Sequence, residues 1–418
     1  MKDMLGRDAV VSVETARDIF DKNFTLPEML SEYISILDAA GRITAKDIVS
    51  PVNLPDFDRS SMDGYAVRAQ DTFGATESLP AYLQIIGEVL MGEEPHIEIS
   101  KGTAARISTG GMLPKGADAV VILEHTQIID KNSIEALYSV APNENVVQVG
   151  EDIKKGEALV KKGHKIRPQD IGAFAGIGID KITVYSKPKV AVITTGNEII
   201  DIKGDSELGC VRDINSYYLS SLIHSDGGVP IRKGIIKDDY SELRSAVEES
   251  LSEADVVVLS GGSSVGARDL TAKVINDIGK QGVLVHGVSI KPGKPTIIGV
   301  VNKKPVFGLP GHPVAVGVSY GLFVKRVIRS LTGIILKDGE SADRMVKARL
   351  LKNIASASGR EDYIRVQLKN EDNELTASPI LGKSGLISTL VKATGYIVIP
   401  ENRLGLEAGE MVEVYLYE

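Results

Sequence analysis

Cysteine is almost absent from this sequence, since Cys210 is the single cysteine among 418 residues. One cysteine excludes an intrachain disulfide framework and any zinc or iron–sulfur site that needs several thiolates. Histidine is also scarce, with 6 residues and none at the spacing of a zinc ligand pair, so a zinc site is not expected. This cysteine usage is typical of a protein of the reducing cytoplasm.

Long apolar runs and an excess of positive charge are lacking as well. No stretch approaches the roughly 18 consecutive apolar residues of a membrane-spanning helix, and residues 1–8 contain no apolar signal core. The net charge of -8 excludes a general nucleic-acid-coating surface, because phosphate neutralisation needs clustered lysine and arginine. We therefore expect a cytoplasmic protein with no membrane and no nucleic-acid partner, while a local cationic pocket remains compatible with this charge.

Three common active-site motifs are missing too. The segment 287–293 is one residue too long for a Walker P-loop, and Pro295 stands where the Mg-binding hydroxyl belongs. The glycines of segment 261–266 lack the spacing of the dinucleotide fingerprint. No G-x-S-x-G elbow is present, and no motif marks Cys210 as a nucleophile.

What the sequence does contain is enough chain for about three domains, at roughly 150 residues per domain. From residue 190 onward, short apolar strands alternate with helical patterns. The predicted strands are 190–194, 229–236 and 256–259, and the predicted helices are 216–224, 240–251, 268–278 and 314–331. This alternation predicts a doubly wound, mainly parallel α/β sheet, whose ligands bind at the carboxyl ends of the strands.

A glycine- and serine-rich loop follows the last of these strands. The segment S-G-G-S-S-V-G, residues 260–266, can turn sharply and present successive backbone N–H groups to a phosphate. Lys291 and Lys294 each precede a proline, which fixes two cationic side chains on one loop. A lone glycine-rich turn can be purely structural, but three glycine-containing loops within one α/β unit, at 260–266, 287–295 and 306–313, favour an anion site.

Acidic residues follow the same strand ends. Glu198, Asp238 or Asp239, and Asp269 bring hard oxygen ligands to the predicted edge, the arrangement that Mg²⁺ favours between carboxylates and substrate phosphates. Each of these acids taken alone can equally be a helix cap or a turn residue.

Two N-terminal segments, 13–20 and 26–37, carry apolar residues at helical spacing. Ser12 suits the N-cap of the first segment, and Thr25 with Glu28 forms a capping box for the second. We therefore expect two helices before residue 40.

Two polar positions between residues 50 and 110 suggest chemistry. Asp58 is a candidate to orient a metal, a water or an oxyanion-bearing ligand, whereas Asp63 is better explained as a turn residue before a strand at 65–67. Thr109 opens a Thr-Gly-Gly loop that can meet an anion or simply join two strands.

After residue 345 the pattern changes to short strand-like runs separated by Gly, Asn and Asp turns. These runs lie at 347–350, 362–368, 375–378, 395–400 and 411–417, and they predict a small β-barrel. Its notable polar residues are Arg360, Arg365, Ser384 and Ser388, and a structural β-domain with solvated arginines is an equally good interpretation.

Taken together, the motifs resemble those of the molybdopterin molybdenumtransferase family, which includes MoeA and the gephyrin E domain. The matching motifs follow one another along nearly the whole chain: L-P-D-F-D-R-S-S-M-D-G-Y-A, R-I-S-T-G-G-M-L-P-K-G-A-D-A-V-V, G-E-D-I, T-T-G-N-E, S-G-G-S-S-V-G-A-R-D, K-P-G-K-P and L-P-G-H-P. The position of His312 departs from the family, where asparagine is usual.

This resemblance implies insertion of molybdate or tungstate into adenylylated molybdopterin, with Mg²⁺ as cofactor and release of AMP. It implies a multidomain α/β plus β fold with one domain inserted into another. The implied domains are an N-terminal linker domain at 1–50 and 145–186, an inserted β-rich domain at 51–144, a molybdopterin-binding, MogA-like α/β domain at 187–335 and a C-terminal β-barrel at 340–418.

The resemblance also assigns site residues. The pterin and nucleotide would lie along Gly261, Gly262, Ser263, Ser264, Gly266, Asp269, Pro310, Gly311 and Pro313. Glu198, Asp238 and Asp269 would be the metal and hydrolysis carboxylates. Lys291, Lys294, Arg360 and Ser384 fall where the family handles molybdate, a tetrahedral dianion that suits charge-assisted hydrogen bonds.

Asp58 and Thr109 match family positions that face this pocket from the partner subunit. The resemblance therefore implies a homodimer with its active site at the subunit interface. The molybdopterin adenylyltransferase and acceptor apoenzymes are the implied protein partners. Two other functions stay open: adenylylation of molybdopterin by this chain itself, and a gephyrin-like scaffold that binds a protein partner without turnover.

Overall fold

The computed structural model describes residues 10–204, 208–261, 265–334, 344–371 and 374–417, without the side chains of residues 265–268. The chain forms two compact units, one from Tyr33–Val184 and one from Met1–Glu32 with Tyr185–Glu418. In the described part of the chain, no helix is both long and apolar enough to cross a membrane.

The first element is helix α1, Val13–Asn23. The Ser12 hydroxyl accepts a hydrogen bond from the Thr15 backbone N–H at 3.1 Å, so Ser12 is the N-cap, as its sequence position predicts. Val13, Ala16 and Phe20 lie on one face of the helix and pack into the α/β core.

The helix expected at 26–37 is absent, and that prediction is wrong. This segment is extended up to strand β1, Ser31–Ser35, and ends in a short 3-10 turn. The Ile36 N–H donates to the Asp180 carbonyl, and the Ser186 N–H donates to the Leu30 carbonyl. Pairing with a distant strand therefore satisfies the backbone groups that a helix would have paired locally.

The unit Tyr33–Val184 is mostly β-structure. Its remaining elements are β2 Ile48–Val49, β3 Arg59–Ser60, β4 Gly64–Val67, β5 Ala81–Val89, β6 Thr103–Ile107, β7 Ala119–Ile122, β8 Thr126–Asp130, β9 Ser133–Ala136, β10 Val146–Val147, β11 Ala158–Val160, α2 Pro168–Gly176 and β12 Lys181–Tyr185. One sheet has the strand order β7-β4-β6-β5-β9-β8, and shorter pairs join β1 to β12 and β2 to β11. The predicted strand at 65–67 is confirmed by β4.

The α/β part of the other unit contains the predicted alternation. Its strands are β13 Lys189–Thr195, β14 Ile199–Ile200, β15 Val211–Arg212, β16 Val229–Ile236, β17 Val256–Gly261, β18 Gly282–His286, β19 Ile290–Lys291, β20 Ile297–Val301 and β21 Lys304–Leu309. Its helices are α3 Asn215–Ser225, α4 Tyr240–Glu253, α5 Val265–Ile278, α6 Pro313–Ser319 and α7 Lys325–Leu331, with a π-helical turn at Tyr320–Val324.

The main sheet has the strand order β16-β13-β17-β21-β20-β18. The first four strands are parallel, and β20 and β18 are antiparallel. Successive residues of β13 and β17 point to opposite faces: Val192 and Val258 pack with α1, α3 and α6, whereas Ile193 and Val257 pack with α4 and α5. Both faces are therefore covered by helices, which confirms the doubly wound prediction.

The C-terminal part closes into a small barrel. Its elements are β22 Met345–Leu350, β23 Ile354–Ala355, β24 Glu361–Glu371, β25 Glu374–Pro379, α8 Ser388–Val391, β26 Gly395–Ile399, β27 Gly405–Leu406 and β28 Met411–Leu416. The order β24-β25-β22-β28-β26 closes because β26 also pairs with β24. Strand β19 of the α/β part adds to the outside of β24, so the barrel and the α/β part share a backbone connection.

Candidate active site

The carboxyl ends of the four parallel strands meet at one edge of the main sheet, as the sequence predicts. β13 ends at Thr195, β16 at Ile236, β17 at Gly261 and β21 at Leu309. The loops that follow these ends carry Glu198, Asp238, Pro310 and Gly311, so the parallel register gathers these predicted site residues at one side of the α/β part.

Glu198 and Asp238 lie close together at this edge. Burial raises the pKa of the Asp238 carboxyl, and the negative charge of Glu198 raises it further. The neighbouring Asp239 differs, because it is the N-cap of α4 and accepts hydrogen bonds from the N–H groups of Ser241 and Glu242. The Ser241 hydroxyl is the largest cause that lowers the pKa of Asp239. Of the two acids proposed from the sequence, Asp238 therefore faces Glu198 and Asp239 caps a helix.

Gly261 is required where β17 approaches β13. Its φ angle is +152°, and a Cβ atom there would lie 2.1 Å from the Thr195 carbonyl oxygen. A side chain is therefore excluded on both conformational and steric grounds. Gly262, Ser263 and Ser264 lie outside the described residues. Gly266 lies within α5, and Asp269 is exposed on the same helix.

Asn215, at the start of α3, joins two of the edge loops, and it was not predicted from the sequence. Its side-chain amide donates to the Ser260 hydroxyl at 2.9 Å and to the Gly311 carbonyl at 2.8 Å. The residue is buried. The L-P-G-H-P loop is thereby fixed next to the end of β17, with Pro310 and Pro313 both buried.

A cavity of about 530 Å³ opens beside this loop, between the α/β part and the barrel. We call it the cationic cavity and define it by Lys291, Lys294, Arg360, His312 and Ser384, which all line it. Pro310 lines it as well, and no acidic side chain occurs among its described lining residues. The structure thus brings together the four residues that the sequence resemblance assigned to the oxyanion.

Ser384 is held against the L-P-G-H-P loop by two contacts. Its hydroxyl lies 2.9 Å from His312 Nδ1, and its carbonyl accepts a hydrogen bond of 3.2 Å from the Val314 N–H. These contacts join the barrel to the first turn of α6. His312, which the sequence marked only as a departure from the family, is therefore a neighbour of the candidate anion site.

The carboxylates at the strand ends do not form a complete metal cage. Within the described ranges, no group of three His, Cys, Asp or Glu residues lies close enough to hold a metal ion by itself. Two adjacent carboxylates that repel each other are still a suitable donor pair for a divalent cation, provided that substrate phosphates complete the coordination.

Comparisons with known proteins match this architecture. Residues 11–178 match the MoeA N-terminal region (domain I and II), residues 191–330 the probable molybdopterin binding domain and residues 347–417 the MoeA C-terminal region (domain IV). A molybdopterin molybdenumtransferase from Haemophilus influenzae is 32% identical over 97% of this chain and 98% of its own length. The chain belongs to the molybdopterin molybdenumtransferase (MoeA) family.

Other members agree with this assignment. A Methanocaldococcus jannaschii relative named for molybdopterin biosynthesis is 41% identical over 93% of this chain and 95% of its own length. The crystal structure of a Pyrococcus horikoshii MoeA protein superposes with a TM-score of 0.80 and 34% identity, covering 98% of this chain and 100% of that one. The family and the MoeA fold predicted from the sequence motifs are confirmed.

Asp58 and Thr109 lie in the other unit, and both are exposed. Asp58 Oδ1 accepts a 2.8 Å hydrogen bond from the Val149 N–H. The Thr109 N–H and hydroxyl both donate to Asp63 Oδ1, at 2.7 and 3.0 Å. These two hydrogen bonds lower the pKa of Asp63. Asp63 therefore orders the Thr-Gly-Gly loop, a role beyond the turn that its sequence position suggested.

Two further buried residues of this MoeA-family chain were missed by sequence reasoning. Asn215 lies in the segment D-I-N-S, where an asparagine at the start of a helix is most simply explained as its N-cap. Asp362 is the first residue of the strand predicted at 362–368. Asn215 contacts Ser260 and Gly311, and Asp362 contacts Lys291, all distant in sequence, so local patterns gave no signal for these roles.

Proposed function

We propose that this chain takes molybdate or tungstate into the cationic cavity and transfers the metal to molybdopterin. Membership of the molybdopterin molybdenumtransferase family makes it an enzyme of molybdenum cofactor biosynthesis. The observation that carries the proposal is the convergence of Lys291, Lys294 and Arg360 with the Ser384 hydroxyl on one cavity. Three cations and a hydroxyl can bind a tetrahedral dianion by charge-assisted hydrogen bonds.

The pterin and the nucleotide of adenylylated molybdopterin would bind along the adjoining strand ends. The supporting features are the side-chain-free backbone at Gly261 and the loop 310–313, which Asn215 fixes against Ser260. This loop also lines the cationic cavity through Pro310 and His312. A ligand along the loop would therefore reach the bound oxyanion without crossing the protein.

Glu198 and Asp238 would hold Mg²⁺ together with substrate phosphates, and Asp269 on α5, which forms no three-residue metal cluster with them among the described residues, would complete the coordination only when the adenylate is bound. The raised pKa of Asp238 supports this role. Burial and the negative charge of Glu198 destabilise the ionised Asp238 carboxylate, and a bound cation would stabilise it. Bound Mg²⁺ supplies positive charge to the phosphate linkage of the adenylate. The chain's own cations, Lys291, Lys294 and Arg360, hold the oxyanion in position while hydrolysis of that linkage releases AMP.

We further propose a homodimer in which Asp58 and Thr109 of one copy complete the site of the other. Both residues are exposed, and Thr109 keeps oxygen lone pairs that can accept a hydrogen bond. Mixing Asp58→Ala with Arg360→Ala tests this arrangement. Heterodimers would regain one intact site, so an equal mixture should recover about a quarter of the parent activity if subunits exchange freely. No recovery after demonstrated exchange would contradict sites shared between subunits.

AMP release tests the function directly. Purified protein is mixed with adenylylated molybdopterin and Mg²⁺, with molybdate, with tungstate or with neither, and AMP is followed by chromatography. We expect oxyanion-stimulated AMP release, with the preferred metal given by the larger stimulation. Adenylate formation from ATP and molybdopterin would instead support an adenylyltransferase, and peptide binding without AMP release would support a scaffold.

A matched pair of arginines on the barrel provides the control. Arg360 contacts Asp362, and Arg349 contacts Glu374 in an exposed ion pair away from the cavity. Arg360→Ala should lower oxyanion-stimulated AMP release roughly 100-fold, because it removes a charged donor from the reacting group. Arg349→Ala should leave the rate unchanged. Equal rates of AMP release for both variants would contradict a role of the cationic cavity in the reaction.

A further inference from the structure

Asp362 is a buried carboxylate directly beneath the cationic cavity. Its side chain is fully buried, and it does not line the cavity. Oδ1 accepts a hydrogen bond from Arg360 Nε at 2.8 Å. Oδ2 has no hydrogen-bond partner among the described residues and lies 3.7 Å from Lys291 Nζ. A carboxylate removed from water with a single side-chain hydrogen bond is costly unless cations compensate it.

The backbone explains why these three residues meet. β19 runs parallel to the start of β24, with Ile290 opposite Glu361 and Lys291 opposite Asp362. The Glu361 N–H donates to the Ser289 carbonyl and extends this pairing. The pairing therefore places Asp362 of the barrel between Lys291 of the α/β part and Arg360, which directly precedes β24.

Among the described residues, the hydrogen bond to Nε leaves the other guanidinium N–H groups of Arg360 available. A guanidinium has five N–H donors in one plane, so binding one edge fixes the direction of the remaining donors. Arg360 lines the cavity while its Nε is bound by Asp362. Without this contact, a long side chain that is about a third exposed would have to be ordered when the ligand binds, which costs affinity.

Asp362 also sets the charge of the site. Lys291, Lys294 and Arg360 carry three positive charges, and the buried Asp362 carboxylate offsets one of them. Two positive charges match the two negative charges of a tetrahedral dianion such as molybdate. The same acid therefore orients a donor and adjusts the charge.

We propose that Asp362 is a positioning residue of the oxyanion site: it binds Arg360 Nε from beneath the cavity and thereby directs the remaining guanidinium donors to the ligand. This inference rests on the proposed oxyanion site. It assigns Asp362 no contact with the substrate, so its effect must pass through Arg360.

Two substitutions separate positioning from charge. Asp362→Asn removes the charge but keeps an oxygen that can accept the Nε–H, whereas Asp362→Ala removes both. Molybdate binding to the full-length protein is measured by equilibrium dialysis with metal analysis. We expect Asp362→Ala to bind molybdate at least about fivefold more weakly than Asp362→Asn, a ratio within the usual range for directly coupled residues. Glu374→Ala, which breaks the exposed ion pair with Arg349, should bind like the parent.

The same pair of substitutions is then made in an Arg360→Met background. There the ratio between the alanine and asparagine variants should fall to about one, because no guanidinium remains to be directed. A ratio that persists without Arg360 would mean a purely structural role and would overturn the proposal. So would equal affinity of the two variants in the parent background, which would leave charge as the sole effect.

The same experiment distinguishes a variant that does not fold from a failure of the proposed oxyanion site. Thermal unfolding identifies variants that do not fold, and Asp362→Ser, whose hydroxyl is too short to reach Arg360 Nε, replaces the alanine variant if needed. Absence of molybdate binding by the folded parent would contradict the oxyanion site itself, and with it the inference. If the parent binds molybdate but Asp362→Asn and Asp362→Ser bind it with equal affinity, the positioning role of Asp362 is contradicted while the oxyanion site stands.

Discussion

Glu198 and Asp238 hold two negative charges close together at the ends of adjacent strands, and this proximity gives a pH-dependent prediction. The pKa of Asp238 is raised, first by burial and then by Glu198. In the folded protein without metal, ionised Asp238 is therefore less favourable than in the unfolded chain. The protonated Asp238 side chain favours the folded protein. This contribution to stability is fully present below the unfolded pKa of about 3.9 and is lost as pH rises through the folded pKa.

Asp238→Asn should therefore raise the melting temperature of the metal-free protein at neutral pH, and the gain should disappear in acid. The same variant should bind Mg²⁺ more weakly, because a donor oxygen with a charge is lost. Differential scanning fluorimetry and isothermal titration with MgCl₂ measure the two effects.

The adjacent acid is the matched control. Asp239→Asn keeps an N-cap of similar quality and should alter neither Mg²⁺ affinity nor its pH dependence. If Asp238→Asn and Asp239→Asn bind Mg²⁺ equally well, the assignment of Asp238 to the metal is wrong.

At the scale of elements, the close approach of β17 to β13 controls the shape of the strand-end site. Gly261→Ala would bring a methyl group to 2.1 Å from the Thr195 carbonyl oxygen at a φ angle of +152°. We expect a loss of more than about 2 kcal/mol in the free energy of unfolding, since neither strand end can move without disturbing its ladder. Urea denaturation followed by circular dichroism measures this loss.

Gly321 provides the comparison within the same unit. It lies in the π-helical turn, and a Cβ atom there would meet nothing within 4 Å. Gly321→Ala should therefore change stability by no more than about 1 kcal/mol, in the stabilising direction. Equal destabilisation by both substitutions would show that the strand contact is not the cause.

Across the whole molecule, the hydrophobic clusters fall separately into the two compact units. The clusters around Phe174, Val67 and Ile107 lie in Tyr33–Val184, and those around Val192, Val257 and Val366 lie in the other unit. Units with separate cores can unfold as separate cooperative transitions. We expect two transitions in differential scanning calorimetry.

The ion pairs of two buried carboxylates, Asp170 and Asp226, allow each transition to be assigned. Asp170 binds Arg167 at 2.8 Å and His164 at 2.6 Å in one unit. Asp226 binds Arg329 Nε and the Tyr320 hydroxyl, both at 2.8 Å, in the other. Asp170→Ala and Asp226→Ala should each lower one transition by roughly 5 °C or more and leave the other unchanged.

The pH dependence supplies a second test. Arg167 is the largest cause that holds the pKa of Asp170 well below its usual range, with a further contribution from His164. Because its pKa is lowered on folding, ionised Asp170 stabilises the folded protein at pH values above the unfolded pKa of about 3.9. This contribution is lost as pH falls towards the folded pKa. The parent and Asp170→Ala should therefore converge in acid. Glu88→Ala, which breaks an exposed pair with Arg106, should move neither transition. A single transition that all variants shift together would contradict two independent units.

Much of this architecture is encoded locally. The strand at 229–236 and the helices at 216–224 and 240–251 follow from apolar spacing and caps within each segment, and the structure confirms them with small changes at their ends. Parallel alternation then fixes which loops share an edge. The sequence by itself therefore determined the doubly wound sheet, the barrel strands, the order of the family motifs and the gathering of Glu198, Asp238 and Gly261 at one edge.

The tertiary structure decided what depends on partners distant in the chain. Segment 26–37 has helical spacing but becomes extended, because pairing with residues 180–186 satisfies its backbone. Asp362 meets Lys291 through the register of β19 and β24, and Asn215 meets Ser260 and Gly311 across two loops. Residue spacing carries information about neighbours within a few turns of chain, whereas these contacts join segments that only the tertiary fold brings together, including the barrel and the α/β part at Lys291 and Asp362. That packing alone creates the cationic cavity.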